Sequence, residues 1–137
     1  MATKVRLAAM ITAGLVLACL AALLHVYIFY MESIAWTSSK TRAVFGISEA
    51  EAAATREMAF NQGFYNLFLA IVAVVGVVLY AIDQHAAGSA LVFAGIGSML
   101  AAALVLFLSS PEKRGAAIRQ GTIPLLGVVA LVIGLLI

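Results

Sequence analysis

Four long apolar runs, separated by short polar or charged segments, dominate the pattern of the chain. They cover residues 7–31, 58–82, 86–110 and 120–137. Each run is close to the ~20 residues that a helix needs to cross the hydrocarbon core of a bilayer. Because a backbone in lipid must satisfy its own hydrogen bonds, runs of this length form helices there. The pattern therefore predicts an all-α fold, a four-transmembrane-helix antiparallel bundle.

The predicted helices begin and end at polar or capping residues around these runs. One integral membrane domain over residues 1–137 would contain helices at about 5–36, 49–82, 87–109 and 115–137. Ser48 and Glu51 have the spacing of a capping box at the start of the second helix. At ~1.5 Å per residue the first two helices exceed a ~30 Å core, so they should extend beyond the bilayer. Residues 37–47 between them are predicted to form a polar loop.

Small residues recur at every seventh position in the third and fourth predicted helices. They are Gly88, Gly95, Ala102 and Ser109 in the third helix, and Gly127 and Gly134 in the fourth. Small side chains allow helices in lipid to approach each other closely. We therefore predict that Gly88, Gly95 and Ala102 face another helix.

The composition supports a membrane protein and excludes several other classes. The chain is 65% hydrophobic and 10% charged, whereas a soluble domain carries about 25% charged residues. Its net charge of +2 is too small and too scattered for a nucleic-acid-binding surface. A single cysteine, Cys19, excludes an intrachain disulfide and a C-x-x-C site. The expected partner is the lipid bilayer, and no nucleic acid is expected.

The basic residues predict how the helices are oriented. Lys4 and Arg6 precede an apolar run that continues to Met31, which is too long for a signal peptide and indicates a retained first helix. Six other basic residues occupy or flank the first and third loops: Lys40, Arg42, Arg56, Lys113, Arg114 and Arg119. The positive-inside tendency then places loops 1 and 3 in the cytoplasm and both termini outside, for a multi-pass protein of the plasma (inner) membrane.

Two ionisable residues lie in or just after the first apolar run. His25 and Glu32 are seven residues apart, so they share a helix face with Phe29 and Trp36. Ionisable groups at membrane depth are costly and usually have a partner or a function. The two side chains are offset by about 10 Å along the helix axis, which is too far for a direct hydrogen bond. We therefore expect each of them to find its partner on another helix.

Polar residues of the second and fourth helices should supply these partners, because the relevant helix ends lie at the same membrane face. A polar arc begins the second helix, formed by Asn61, Gln62, Tyr65 and Asn66. We expect Arg119 or Arg56 to be the arginine closest to Glu32. The predicted ligand-binding residues are therefore His25, Glu32, Trp36, Asn61, Gln62, Tyr65, Asn66, Arg119 and Gln120.

This set combines a titratable pair, a guanidinium, carboxamides and a phenol. Such groups could gate proton movement, hold a polar headgroup, or act as acid and base. A structural interpretation competes with each of these functions. Charged side chains at the interface can reach water, carboxamides can join helices for under ~1 kcal/mol each, and Trp36 can belong to an aromatic belt.

No sequence motif assigns a catalytic residue, a cofactor or a metal. The chain has no glycine-rich phosphate loop, no H-E-x-x-H pair and no nucleophile elbow. His25 and Glu32 would provide only two metal ligands, which is a weak basis for a metal site. We therefore predict no cofactor and no metal, and the sequence leaves enzymatic activity open.

Several blocks of the sequence are recognisable as a set. They are His25-Val26-Tyr27-Ile28 with Glu32 and Trp36, Val44-Phe45-Gly46, Asn61-Gln62-Gly63-Phe64-Tyr65-Asn66, and Gln120-Gly121-Thr122-Ile123-Pro124. Together they resemble a family of small bacterial membrane proteins catalogued as domain of unknown function 1304. The resemblance covers essentially the whole chain, and the block at 61–66 is its most specific part. It implies a four-helix integral membrane protein, and it brings no established activity, substrate or catalytic residues.

The leading functional hypothesis is a membrane module that binds or moves a small amphipathic or lipid-like molecule in a polar pocket near loops 1 and 3. Four helices are too few to enclose a long pathway, so transport would need a homo-oligomer. The first alternative is a non-catalytic accessory or structural subunit whose polar face only packs. The second is a membrane-embedded enzyme on a lipophilic substrate, with His25 and Glu32 as acid and base, although no nucleophile is found.

Overall fold

The computed structural model describes residues 1–136, and in this range it contains helices and no strand. Four segments are long and apolar enough to cross a membrane: Ala2–Ile34, Arg56–Ala81, His85–Ser109 and Pro111–Leu135. The predicted all-α four-helix membrane bundle is confirmed. The last residue of the fourth predicted helix, Ile137, lies outside the described residues.

The four long helices form a ring. Helix α1 (Ala2–Phe29) continues into a π-helical turn (Tyr30–Ile34), followed by α2 (Ser39–Phe45), α3 (Glu49–Ala54), α4 (Arg56–Ala81), α5 (His85–Ser109), a 3₁₀ turn (Pro111–Lys113) and α6 (Arg114–Leu136). In the ring, α1 packs against α4 and α6, and α5 packs against the same two helices. The short elements α2, α3 and the 3₁₀ turn lie together at one end, which we call the loop end.

Small residues allow the helices of the ring to approach closely. A Cβ atom added at Gly95 would lie 2.9 Å from the Cβ of Ala73, and one added at Gly134 would lie 2.6 Å from Cγ1 of Ile11. Real Cβ atoms do not make contacts this short, so the α4–α5 and α1–α6 pairs pack with their backbones close together. Gly88 and Gly95 therefore face another helix, as predicted.

The third member of that stripe, Ala102, is exposed, and the prediction for it is wrong. Its neighbour Ala103 is buried instead, and a Cβ atom added at Gly121 of α6 would lie 2.8 Å from the Cβ of Ala103. Gly88 and Gly95 face α4, whereas Ala103 faces α6. Toward the end of α5 the close contact of small residues is therefore made with a different helix, on a different face of α5.

Residues 37–47, predicted as a polar loop, contain the short helix α2. The hydroxyl of Ser38 accepts a hydrogen bond from the Thr41 N–H at 3.2 Å and caps the start of the helix. Gly46 ends it in the left-handed conformation, with φ at 66°. The start and stop signals were present in the sequence, but the helix between them has only seven residues.

A capping box and an ion pair to α2 hold helix α3 in place at the loop end. Ser48 and Glu51 form the predicted capping box, in which the Ser48 N–H donates to the Glu51 carboxylate at 3.0 Å. This hydrogen bond, with a smaller contribution from the charge of Lys113, holds the pKa of Glu51 below its ordinary value. Arg42 of α2 forms an ion pair with Glu49 at 3.3 Å. The ion pair joins α2 to α3, and the influence of Lys113 on Glu51 indicates that the third loop lies near α3.

The predicted helix over 49–82 is interrupted at Thr55, where the backbone leaves the helical region (φ −103°, ψ 7°). The Thr55 hydroxyl donates to the Glu51 carbonyl at 2.7 Å. A threonine that bonds to the preceding turn in this way can bend a helix. The Trp36 Nε1 donates to the same hydroxyl at 3.2 Å, so the break between α3 and α4 is also tied to the end of the first span.

Candidate functional site

The first span changes its helical form where the predicted site begins. Tyr30–Ile34 form a π-helical turn, in which the Ala35 N–H donates to the Tyr30 carbonyl at 2.9 Å. Such turns contain one more residue than an α-helical turn and occur frequently at functional sites. The helix ends here, so Trp36, predicted as its last residue, lies in the connection to α2.

Helix α4 packs directly against the π-turn at Gly63. A Cβ atom added there would lie 3.0 Å from the backbone nitrogen of Ser33 and 3.1 Å from the Cβ of Glu32. The Ser33 hydroxyl donates to the Phe60 carbonyl of α4 at 2.8 Å. The side of the turn that faces α4 is therefore closed by backbone contact and a hydrogen bond.

Glu32 has a polar partner on α4. The Asn66 Nδ2 donates to Glu32 Oε2 at 2.8 Å and also to the Gln62 carbonyl at 3.2 Å. The polar arc thus supplies the partner of Glu32, as predicted. Glu32 forms no ion pair within residues 1–136, and which arginine lies closest to it stays a prediction. Arg119 Nε instead donates to the Gly115 carbonyl at 3.1 Å.

Helix positions explain why no arginine pairs with Glu32. The π-turn that carries Glu32 packs against α4, whereas Arg119 lies on α6, which packs against α1 elsewhere in the ring. Arg56 is on α4, but it precedes Asn66 by ten residues, a distance of about 15 Å along the helix. Both arginines are exposed.

His25 lies in the core of the bundle and is 2% exposed. Its Nδ1 is 2.9 Å from the carbonyl oxygen of Ala21, four residues earlier in the same helix. Since a carbonyl only accepts, Nδ1 carries the proton. The prediction that His25 finds its partner on another helix is therefore wrong. Within residues 1–136, no three His, Cys, Asp or Glu side chains form a group that could hold a metal ion.

Gln120 of α6 lies at the depth of His25. Gly14 contacts Leu131 across the α1–α6 pair, and in antiparallel helices each step forward along one matches a step back along the other. Eleven steps lead from Gly14 to His25, and eleven steps back from Leu131 lead to Gln120. Gln120 is half-buried, whereas its neighbour Arg119 is exposed.

Within residues 1–136, the side chains of the remaining predicted residues form no hydrogen bond with Glu32 or Asn66. Trp36 packs edge-to-face on Phe45 of α2, with ring centroids 5.0 Å apart. Asn61 Nδ2 donates to the Glu57 carbonyl of its own helix at 3.2 Å. Three more are exposed: Gln62, Tyr65 and Arg119. In the described part of the chain, Glu32 and Asn66 are the only two of the predicted residues that share a hydrogen bond between side chains.

A cleft lies between the π-turn and α2, and none of the predicted residues lines it. Its volume is about 100 Å³. The lining residues, which define the α2 cleft, are Tyr27, Tyr30, Met31, Ala35, Ser38, Lys40, Thr41 and Val44. Sequence reasoning missed the cleft because it did not identify α2; the caps Ser38 and Gly46 were the signals that could have found it.

The polar groups of the α2 cleft include several free hydrogen-bond donors. Thr41 is 3% exposed, and its Oγ1 accepts from the Ser38 hydroxyl at 3.1 Å, which leaves its own proton available. Lys40 is exposed and forms no ion pair within residues 1–136. Tyr27 and Tyr30, whose rings lie 6.4 Å apart, are both about half exposed.

An apolar groove lies between α1 and α4, closer to the middle of the first span. Its volume is about 190 Å³, and the lining residues, which define the α4 groove, are Val26, Ala70, Ile71, Val74 and Val75. Val26 precedes Tyr30 of the α2 cleft by four residues, so the two lie on one face of α1. Val26 of the groove and Tyr30 of the cleft are therefore one helical turn, or about 6 Å, apart along the helix axis.

Comparison with known sequences matches the chain to a family. The family described as "Protein of unknown function (DUF1304)" matches residues 19–132. This range contains the π-turn, the α2 cleft, the α4 groove and every predicted site residue. No curated protein and no solved structure matches the chain.

Proposed function

This chain belongs to the DUF1304 family of proteins of unknown function, and we propose that it binds a small amphipathic or lipid-like molecule at the loop end of the bundle. Four apolar helices make it a multi-pass membrane protein, so a ligand can reach it from the bilayer. The observation that carries the proposal is that the polar α2 cleft lies one turn of α1 from the apolar α4 groove. A molecule with a polar head and an apolar tail would place one part in each.

The α2 cleft suits a polar headgroup better than a whole lipid. Its volume of about 100 Å³ has room for only a few water-sized groups. Its wall combines hydroxyl, phenol and ammonium groups with the apolar side chains of Met31 and Val44. The tail of the ligand must therefore lie outside the cleft.

The α4 groove accommodates a tail but cannot select one strongly. A tail that moves from the bilayer into the groove exchanges one apolar environment for another. It therefore gains packing contacts and no hydrophobic driving force. Most of the selectivity must come from the headgroup.

Glu32 and Asn66 have a positioning role in this proposal. Their hydrogen bond and the contact between Gly63 and Ser33 hold the π-turn against α4. The same turn contributes Tyr30 and Met31 to the wall of the α2 cleft. Contact between a ligand and the other predicted residues stays a prediction.

The basic residues of the first and third loops support an orientation with the loop end in the cytoplasm, at the plasma (inner) membrane. Movement of the ligand across the membrane would need more than one copy of the chain, because four helices are too few to enclose a pathway. Binding requires only one copy.

Photolabelling in phosphatidylcholine nanodiscs tests the proposal. The probes carry the same diazirine-bearing acyl chain on a neutral glycerol head or on a phosphate head. Val74→Trp fills the α4 groove from an exposed position, and Val78→Trp, one turn further along α4, is the matched control outside it. We expect Val74→Trp to lower labelling of α1 and α4 about tenfold, a loss of ~1.4 kcal/mol, and Val78→Trp to leave it within about twofold.

Unchanged labelling of Val74→Trp with both probes would contradict binding in the groove. A fall in thermal stability of both tryptophan variants, with no labelling above background in any of the proteins, would favour a non-catalytic membrane subunit.

A further inference from the structure

We infer that the headgroup of the amphipathic ligand is anionic, and that a phosphate group of a membrane lipid is held between Lys40 and the hydroxyl groups of the α2 cleft. The inference rests on the proposed function and names the chemical class of its ligand.

Lys40 supplies the charge of the α2 cleft. Of the residues that line the cleft Lys40 alone is charged, and within residues 1–136 it has no ion-pair partner. Arg42 follows two residues later, but it does not line the cleft and is held by Glu49 at 3.3 Å. An uncompensated ammonium group beside the low-dielectric membrane attracts an anion and repels a cation.

The other polar groups of the cleft match the oxygens of a phosphate, which accept several hydrogen bonds. The Thr41 hydroxyl accepts from Ser38 and donates to no group within residues 1–136, so its own proton can serve a ligand. The phenols of Tyr27 and Tyr30 can donate as well, and an ammonium group offers three donors. Hydrogen bonds between an ammonium and a phosphate are stronger than those between neutral groups. A neutral glycerol head would leave the charge of Lys40 without a counterpart.

Tyrosine and lysine also occur at membrane interfaces without any bound lipid, as an aromatic belt and as side chains that reach toward water. Two features of the α2 cleft differ from such a belt. Thr41 is 3% exposed and nevertheless lines the cleft. Residues of α1, the π-turn and α2 that carry hydrogen-bond donors also line one and the same cavity.

The inference is tested by photolabelling the full-length protein in phosphatidylcholine nanodiscs. The two probes are those described above, which share one acyl chain and differ in their headgroup. We expect the phosphate probe to label the wild type at least about tenfold more than the glycerol probe. Lys40→Gln should remove most of this preference, and Lys40→Arg should retain it. Lys113→Gln is the matched control, because it removes the same charge at the loop end but outside the cleft. It should retain the preference within about twofold.

Every other result of this labelling test contradicts one specific part of the inference or of the proposed function. Equal labelling by the two probes, lowered for both in Val74→Trp, would overturn the anionic headgroup and leave the proposed function standing. Equal losses in Lys40→Gln and Lys113→Gln would indicate general surface attraction, which is worth about fivefold per lysine, and would overturn the site. Displacement of the phosphate probe by low millimolar inorganic phosphate would overturn the lipid as the source. No labelling by either probe would overturn the proposed function itself.

Discussion

The two sides of the π-turn present opposite situations within five residues. On the side of α4, Glu32 and Ser33 have hydrogen-bond partners, and Gly63 leaves no space between the backbones. On the side of α2, Tyr30 and Met31 border a cleft whose donors have few partners. The difference teaches that a rare ionisable residue in an apolar run can mark a packed contact between helices. Residues that are common at any membrane interface form the open cleft next to it.

The largest effect on stability should come from Gly63→Ala, which adds a methyl group where α4 packs against the π-turn. The added Cβ would lie 3.0 Å from the Ser33 nitrogen, which is a backbone atom and cannot move aside cheaply. Overpacking of this kind costs about 1–3 kcal/mol. We expect a clear fall in the midpoint of thermal unfolding, measured in lipid nanodiscs.

Gly97→Ala is the matched control for this substitution, since a Cβ at Gly97 of α5 would have no atom within 4 Å. Alanine is a better helix former than glycine by about 1 kcal/mol, so Gly97→Ala should be neutral or stabilising. If Gly63→Ala is also neutral or stabilising, the π-turn and α4 are not packed as closely as described.

An intermediate effect should come from the hydrogen bond between Glu32 and Asn66. We expect Glu32→Ala and Asn66→Ala each to lower the free energy of unfolding by about 1 kcal/mol. A double-mutant cycle should give a coupling energy of about 0.6 kcal/mol, a value typical of hydrogen bonds between side chains of membrane helices. Asn61→Ala is the control, because Asn61 bonds only to its own helix, and it should change stability little.

Glu32→Gln sharpens the comparison further, because it keeps an oxygen that can accept from Asn66. Stability and labelling close to those of the wild type would agree with a positioning role. Loss of phosphate-probe labelling at unchanged stability would instead put Glu32 in contact with the ligand.

The smallest effect should be a response of the loop end to pH. The pKa of Glu51 lies below its ordinary value of 4.5 because the Ser48 N–H donates to its carboxylate. A carboxylate whose pKa is lowered in the folded state stabilises that state at any pH above its ordinary pKa. This stabilisation is lost as the pH falls through the pKa of the folded state. Below about pH 4.5, hydrogen-exchange protection should therefore fall in α3 while that of α4 around Gly63 stays constant.

Glu51→Gln should remove this pH response, since glutamine also serves in a capping box. Glu57→Gln, an exposed position outside the box, should leave the response unchanged. A parallel loss of protection in α3 and α4 would mean that the two regions do not differ as described.

The sequence predicted the spans because hydrophobicity is averaged over about twenty residues, which makes it insensitive to local detail. It also predicted that the polar arc would supply a partner for Glu32, and Asn66 does so. The DUF1304 resemblance is confirmed over residues 19–132. These results depend on composition and on helical spacing, both of which a sequence displays.

The failures came from geometry that spacing does not display. His25 bonds to the carbonyl of Ala21 because its own helix offers an acceptor, and no count of polar residues elsewhere reveals this choice. Ala102 is exposed and Ala103 is buried because the end of α5 packs small residues against α6 rather than against α4. The α2 cleft was missed because a helix of seven residues is too short for periodicity, although its caps were visible.

A π-turn is an α-helix with one residue too many, so a chain can lose it through the deletion of a single codon. Such a deletion between Tyr30 and Ile34 would close the wide turn into an ordinary α-helical turn, and the residues after it would keep nearly their present orientation, because the wide turn had absorbed the extra residue. Trp36 would still reach Thr55, to which it now donates at 3.2 Å, and all four spans would keep their hydropathy. In an alignment of this family, a one-residue gap at 30–34 is therefore the mark of a member that has kept the bundle and lost the π-turn.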